Sequence, residues 1–119
     1  MSGERVLIAE DEYIIALELQ SIVEQIGAVA VGPVASVDEA LPLAADANIS
    51  CAVLDAQLLR RSVEPVARCL AARGIPFLFY TGQTNGDPAF AAYPDAPVVA
   101  KPASSRVIAN KIRELLSPG

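Results

Sequence analysis

The amino-acid sequence predicts an α/β protein built on a parallel sheet, and three observations lead there. Five short apolar runs recur along the 119 residues. They are apolar throughout rather than alternating, as strands covered on both faces are. Segments with apolar residues at helical spacing lie between them, so strand and helix alternate along the chain.

Each element has its own local signal. Arg5–Ala9 (RVLIA) reads as the first strand. Residues 11–27 carry Ile14, Ile15, Leu17, Leu19, Ile22, Val23 and Ile26 at helical spacing, and Gly27 is a natural stop. Residues 28–32 form the second strand, ended by Gly32-Pro33. Ser36 is a good N-cap, and Glu39 completes a capping box. The helix it starts runs towards Ala45, with Pro42 predicting a kink or an early end. Cys51–Leu54 is the third strand, with Asp55 at its end. Residues 63–73 are helical, stopped by Gly74, and residues 75–80 (IPFLFY) form the fourth strand. A loop over residues 81–87, rich in Gly, Asn and Thr, leads to a short, weak helix over residues 88–93. Residues 97–100 are the fifth strand. Ser104 caps a last helix, with Val107, Ile108, Ile112, Leu115 and Leu116 on its inner face. Five strands and five helical segments in this length suit the flavodoxin-like arrangement. The expectation is a single domain over residues 1–119, with strand order 2-1-3-4-5 and helices on both faces.

Composition narrows the chemistry. Nine Lys and Arg against 14 Asp and Glu give a net charge of −5, which argues against a nucleic-acid or anionic-membrane surface. Histidine is absent, so Ser-His-Asp and Cys-His catalysis and histidine metal sites are excluded. Two cysteines, Cys51 and Cys69, are too few for a four-cysteine metal site and read as small buried hydrophobes. No signal peptide or apolar stretch of about 18 residues is visible, so a reducing cytoplasm is the expected compartment. Carboxylates, hydroxyls, Lys and Arg remain for function.

In such folds ligands sit outside the carboxyl ends of the strands. Glu10, Asp11 and Glu12 stand at that end of the first strand, Asp55 of the third, Thr81 of the fourth and Lys101 of the fifth. Each has a bland alternative. A carboxylate can cap a helix or an Asx-turn, Thr81 can start a turn, and Lys101 can be a solvated charge. Together they form a pattern. Clustered carboxylates with oxygen-only ligands select a hard cation, and Mg²⁺ is the abundant one. Asp55 is placed to attack a phosphoryl group and form an acyl phosphate. Lys101 and Thr81 would take other phosphoryl oxygens, and no histidine base is needed.

These residues resemble the receiver domain of two-component response regulators. The motifs are Leu7-Ile8-Ala9-Glu10-Asp11-Glu12, Val53-Leu54-Asp55, Tyr80-Thr81-Gly82 and Ala100-Lys101-Pro102, in order across the whole chain. The resemblance implies that Asp55 is phosphorylated and that Mg²⁺ is held by Glu10, Asp11, Asp55 and the backbone carbonyl of Gln57. It implies that Thr81 and Lys101 read the phosphoryl group and that the Lys101-Pro102 bond is cis. A histidine kinase or histidine phosphotransfer protein would be the donor, and transfer and slow hydrolysis would be self-catalysed. The chain would be a monomer or weak dimer without an output domain, signalling through a protein partner.

Two departures stand out. Val98 occupies the position where the family carries a switch aromatic, and residues 56–61 lack the usual Met-Pro and Asp-Gly elements. With Phe79-Tyr80-Thr81-Gly82, this looks like the atypical single-domain receivers of alphaproteobacteria, which carry a Phe-x-Thr-Gly motif. Arg60 and Arg61 follow the acceptor and read either as solvated charges or as groups that steer an acidic partner or meet the phosphoryl group. The loop over residues 81–94, with few apolar anchors, is expected to respond most to phosphorylation. Competing readings are a phosphoryl relay or sink, and a phosphorylation-independent interaction module. An Asp-nucleophile phosphatase would need a second carboxylate where Gln57 stands, and a nucleotide-binding reading lacks a glycine loop after the first strand.

Overall fold

The computed structural model describes residues 3–82 and 87–117. Its strands are β1 (Arg5–Ala9), β2 (Val29–Val34), β3 (Cys51–Leu54), β4 (Gln57–Leu58), β5 (Arg61–Ser62), β6 (Phe77–Thr81) and β7 (Val98–Ala100). Its helices are α1 (Tyr13–Gln25), α2 (Val37–Asp46), α3 (Glu64–Ala72), α4 (Pro88–Ala92) and α5 (Ser105–Leu116). The main sheet runs β2-β1-β3-β6-β7, with every pairing parallel. This is the expected flavodoxin-like order. The strands β4 and β5 form a separate antiparallel hairpin between β3 and α3.

The apolar runs are explained by two cores. Successive strand side chains point to opposite faces. Leu7, Leu54 and Phe79 join one core with Val37, Ala40, Val66 and Leu70 of α2 and α3. Val6, Ile8, Val53 and Leu78 join the other with Leu19, Ile22, Val23, Ile108 and Ile112 of α1 and α5. With both faces covered, neither parity of a central strand can be polar.

Several expected boundaries shift. Strand β2 continues past Gly32-Pro33 to Val34, because the chain bulges there instead of turning. Leu7 pairs with Val31 but Ala9 with Val34, leaving an extra residue on β2. Gly32 has φ +92°, and a Cβ there would lie 2.8 Å from the Val34 nitrogen and 3.0 Å from the Ile8 carbonyl oxygen. Pro33 is tolerated because β2 is an edge strand. Both Gly32–Pro33 and Lys101–Pro102 are cis. Pro42 does not end α2 early: the helix runs on through it to Asp46. It is exposed, as is Asp38, whose carbonyl loses its helical donor, so water can serve that group. The cap at Ser36 forms as expected, with Ser36 Oγ accepting from the Glu39 nitrogen, while the Glu39 carboxylate reaches one residue further back and accepts from the Ala35 nitrogen.

Not every periodic residue faces inward. Ile14 and Leu17 of α1 are exposed, with Tyr13 beside them at 76% exposure. At about 100° per residue they fall on the side of the helix away from Leu19, Ile22 and Val23. Val107 of α5 is likewise turned out. Cys51 is buried and Cys69 half-buried, both as free thiols. Residues 83–86 of the loop expected after the fourth strand lie outside the described residues. Among the described residues, no helix is long and apolar enough to cross a membrane.

Candidate functional site

The parallel sheet brings four strand ends to one rim. Residues Glu10, Asp11 and Glu12 follow β1, Asp55 follows β3, Thr81 ends β6 and Lys101 follows β7. Backbone ladders continue beyond the strands and seat these residues. The Glu10 nitrogen donates to the Val34 carbonyl at 2.9 Å, the Asp55 nitrogen to that of Ala9 at 2.9 Å, and the Lys101 nitrogen to that of Thr81 at 2.9 Å. Glu10, Asp55 and Thr81 are buried, at 2%, 8% and 2% exposure.

Lys101 is the hub. Its Nζ lies 2.9 Å from Asp55 Oδ2, 2.9 Å from Glu10 Oε1 and 3.3 Å from Glu12 Oε1. It also stands 5.8 Å from the centroid of the Tyr80 ring. The Tyr80 hydroxyl in turn accepts from the Ala103 nitrogen at 3.1 Å, tying the chain after Lys101 to β6. One oxygen from each of Glu10, Asp11, Glu12 and Asp55 lies within 4.8 Å of the others. Glu12 lies outside the ligand set that the resemblance implies, yet it joins the cluster here.

Burial raises the Glu10 carboxyl from its ordinary value to about 7; Asp55 adds to the rise, while Lys101 and the Glu12 amide oppose it. Burial by itself would lower the Lys101 ammonium, but hydrogen bonds and charge from Glu10 and Asp55 outweigh it and hold the group above its usual value. Glu10 Oε2 accepts from the Glu12 nitrogen at 3.0 Å, and Oε1 is buried against the Lys101 ammonium at 2.9 Å. Four carboxylates gathered this closely around a single ammonium, with oxygen donors only, fit a hard divalent cation.

A cleft of about 310 Å³ opens over the centre, lined by Asp11, Glu12, Asp55, Gln57, Arg60, Thr81, Gly82 and Lys101. All expected site residues meet here, with Glu10 beneath through Lys101. Sequence did not anticipate the hairpin. Its Gln57 nitrogen approaches Asp55 Oδ1 at 3.5 Å, and its Leu59 nitrogen donates to Asp11 Oδ2 at 2.9 Å. Its turn residues Leu59 and Arg60 have φ 51° and 69° without any Gly or Asn, the usual signal for such a turn. The two arginines part company. Arg60 lines the cleft, while Arg61 pairs with Asp38 at 3.0 Å. On β7, Val98 is 42% exposed. An apolar groove of about 340 Å³, between Pro76, Tyr93, Pro97 and Leu115, lies at the opposite end of the strands, away from these groups.

The chain is similar to SdrG from Sphingomonas melonis Fr1, at 38% identity and a TM-score of 0.83, over 98% of this chain and 100% of that one. It is also similar to the BeF3-activated conformation of SdrG from Pseudomonas melonis Fr1, at 38% identity and a TM-score of 0.75, over 98% of both chains. A response regulator receiver protein from Sinorhizobium medicae WSM419 shares the fold at 24% identity and a TM-score of 0.83, over 95% of this chain and 94% of that one. No family model and no curated protein matches the chain.

Proposed function

This chain belongs to the response regulator receiver family, and on that premise we propose that it accepts a phosphoryl group on Asp55 from a histidine kinase or histidine phosphotransfer protein. The observation that carries the reading is the contact of Asp55 with Lys101 at 2.9 Å inside a group of four carboxylates at the mouth of the sheet. A similar protein is known in a BeF3-activated conformation.

In the proposed reaction, an Asp55 Oδ attacks phosphorus. A P–O bond forms and the P–N bond to the donor imidazole breaks, the nitrogen keeping the electron pair. No proton need leave the nucleophile, because it is already a carboxylate. Lys101 and the Thr81 hydroxyl bind phosphoryl oxygens as charge moves onto them. Glu10, Asp11, Asp55 and the Gln57 carbonyl would hold Mg²⁺. When bound, it supplies positive charge against the carboxylates and the phosphoryl oxygens. Water later hydrolyses the acyl phosphate. Residues 1–119 act as one receiver unit, and signal leaves through a surface read by a protein partner.

Intact-mass spectrometry after adding acetyl phosphate and Mg²⁺ tests this. One phosphoryl group on the wild type and none on Asp55→Ala is the expected result. Equal addition to both would move the acceptor elsewhere and overturn the reading.

A further inference from the structure

We infer that Arg60 is a phosphoryl-binding side chain of this site, a role that rests on Asp55 being the acceptor. Charge makes room for it. Glu10, Asp11, Glu12 and Asp55 are gathered together, and among the described residues Lys101 is the cation paired with them. An incoming phosphoryl group brings more negative charge. Even with a divalent cation present, the rim carries more negative than positive groups, so a further cation at its mouth favours the loaded state.

Arg60 is the group placed there. It lines the cleft with Asp55, Thr81 and Lys101. It is exposed, and among the described residues it has no ion-pair partner. Arg61 differs in this respect, since Asp38 holds it at 3.0 Å. The hairpin accounts for the division. Leu59 and Arg60 both lie in the left-handed region, a conformation that persists for residues with a Cβ only where the surroundings hold it. Here the Leu59 nitrogen is held by Asp11 Oδ2 at 2.9 Å. The acidic centre thus anchors the turn that presents Arg60. A guanidinium is always charged and presents a planar fork of donors, the geometry that suits phosphoryl oxygens. Arg60 therefore raises the affinity of the site for anionic donors and for the bound phosphoryl group, while Asp55 remains the nucleophile.

The test compares wild type with Arg60→Gln, Arg60→Lys, Arg60→Gly and Arg61→Gln. Two quantities are read in Mg²⁺, at low and high salt: the affinity for beryllofluoride by fluorine NMR, and the acetyl phosphate concentration giving half-maximal phosphorylation by intact mass. Arg60→Gln is expected to weaken both about ten-fold, the size of one charge-assisted hydrogen bond at an exposed position, and to flatten their salt dependence. Arg60→Lys restores part of the loss, and Arg61→Gln behaves as wild type. Arg60→Gly relieves the turn yet loses affinity like Arg60→Gln, which separates charge from strain. An Arg60→Gln variant within two-fold of wild type in both readouts overturns this role and leaves the receiver reading standing. A wild type that neither binds beryllofluoride nor gains a phosphoryl group overturns both.

Discussion

Replacing Glu10 with Gln should stabilise the protein without divalent cation, and increasingly so as pH rises. Glu10 is nearly inaccessible, and its carboxyl titrates near 7 in the folded chain against 4.5 as the ordinary value. Between those values the folded state keeps a proton that the unfolded state has released. This contribution to stability is therefore full below pH 4.5, declines as pH rises, and is lost above about 7. The gap between the two values corresponds to roughly 3 kcal/mol. Gln is isosteric and cannot ionise, and its amide oxygen can still accept from the Glu12 nitrogen. The value near 7 already includes the attraction to Lys101 that Gln gives up, so the expected gain at pH 8 is about 1–3 kcal/mol, with little difference at pH 4.5. For a domain of this size that raises the melting temperature by roughly 4–12 °C. Urea unfolding at pH 4.5, 6.5 and 8, with and without Mg²⁺, measures it. Mg²⁺ should stabilise wild type more at pH 8 than at pH 4.5, and stabilise Glu10→Gln less. A variant no more stable than wild type at pH 8, or a difference independent of pH, would refute the reasoning.

Other expectations follow from single contacts. Gly32→Ala should destabilise by about 1–3 kcal/mol in chemical denaturation, since its φ of +92° and the 2.8 Å approach to the Val34 nitrogen leave no room for a Cβ. Cys51, buried and with burial first among the causes that push its thiol up to about 12, should resist a disulfide reagent at pH 8 that modifies half-buried Cys69; equal rates at the two would show that β3 opens readily.

The order of elements and the residues of the rim were legible in the sequence for a simple reason. A strand buried on both faces must be apolar throughout, so the first polar residues after RVLIA, CAVL and IPFLFY mark where the chain leaves the sheet. Glu10, Asp11, Asp55, Thr81 and Lys101 are therefore assigned to one edge by the sequence alone. Helix faces were less legible. Ile14, Leu17 and Val107 match the rest in hydrophobicity, and only the direction of the packing partner separates inside from outside. The bulge at Gly32 and the β4–β5 hairpin were not legible at all. A turn through Leu59 and Arg60 has none of the residues that favour left-handed backbone, and it exists because Asp11, distant in sequence, accepts from it. The same contact decides that adjacent arginines face different surroundings, Arg60 the cleft and Arg61 the carboxylate of Asp38. Local sequence determined which groups reach the rim, because polarity must appear where a buried strand ends. Tertiary structure alone decided which of them touch, because those distances depend on strand order, register and hydrogen bonds between distant segments.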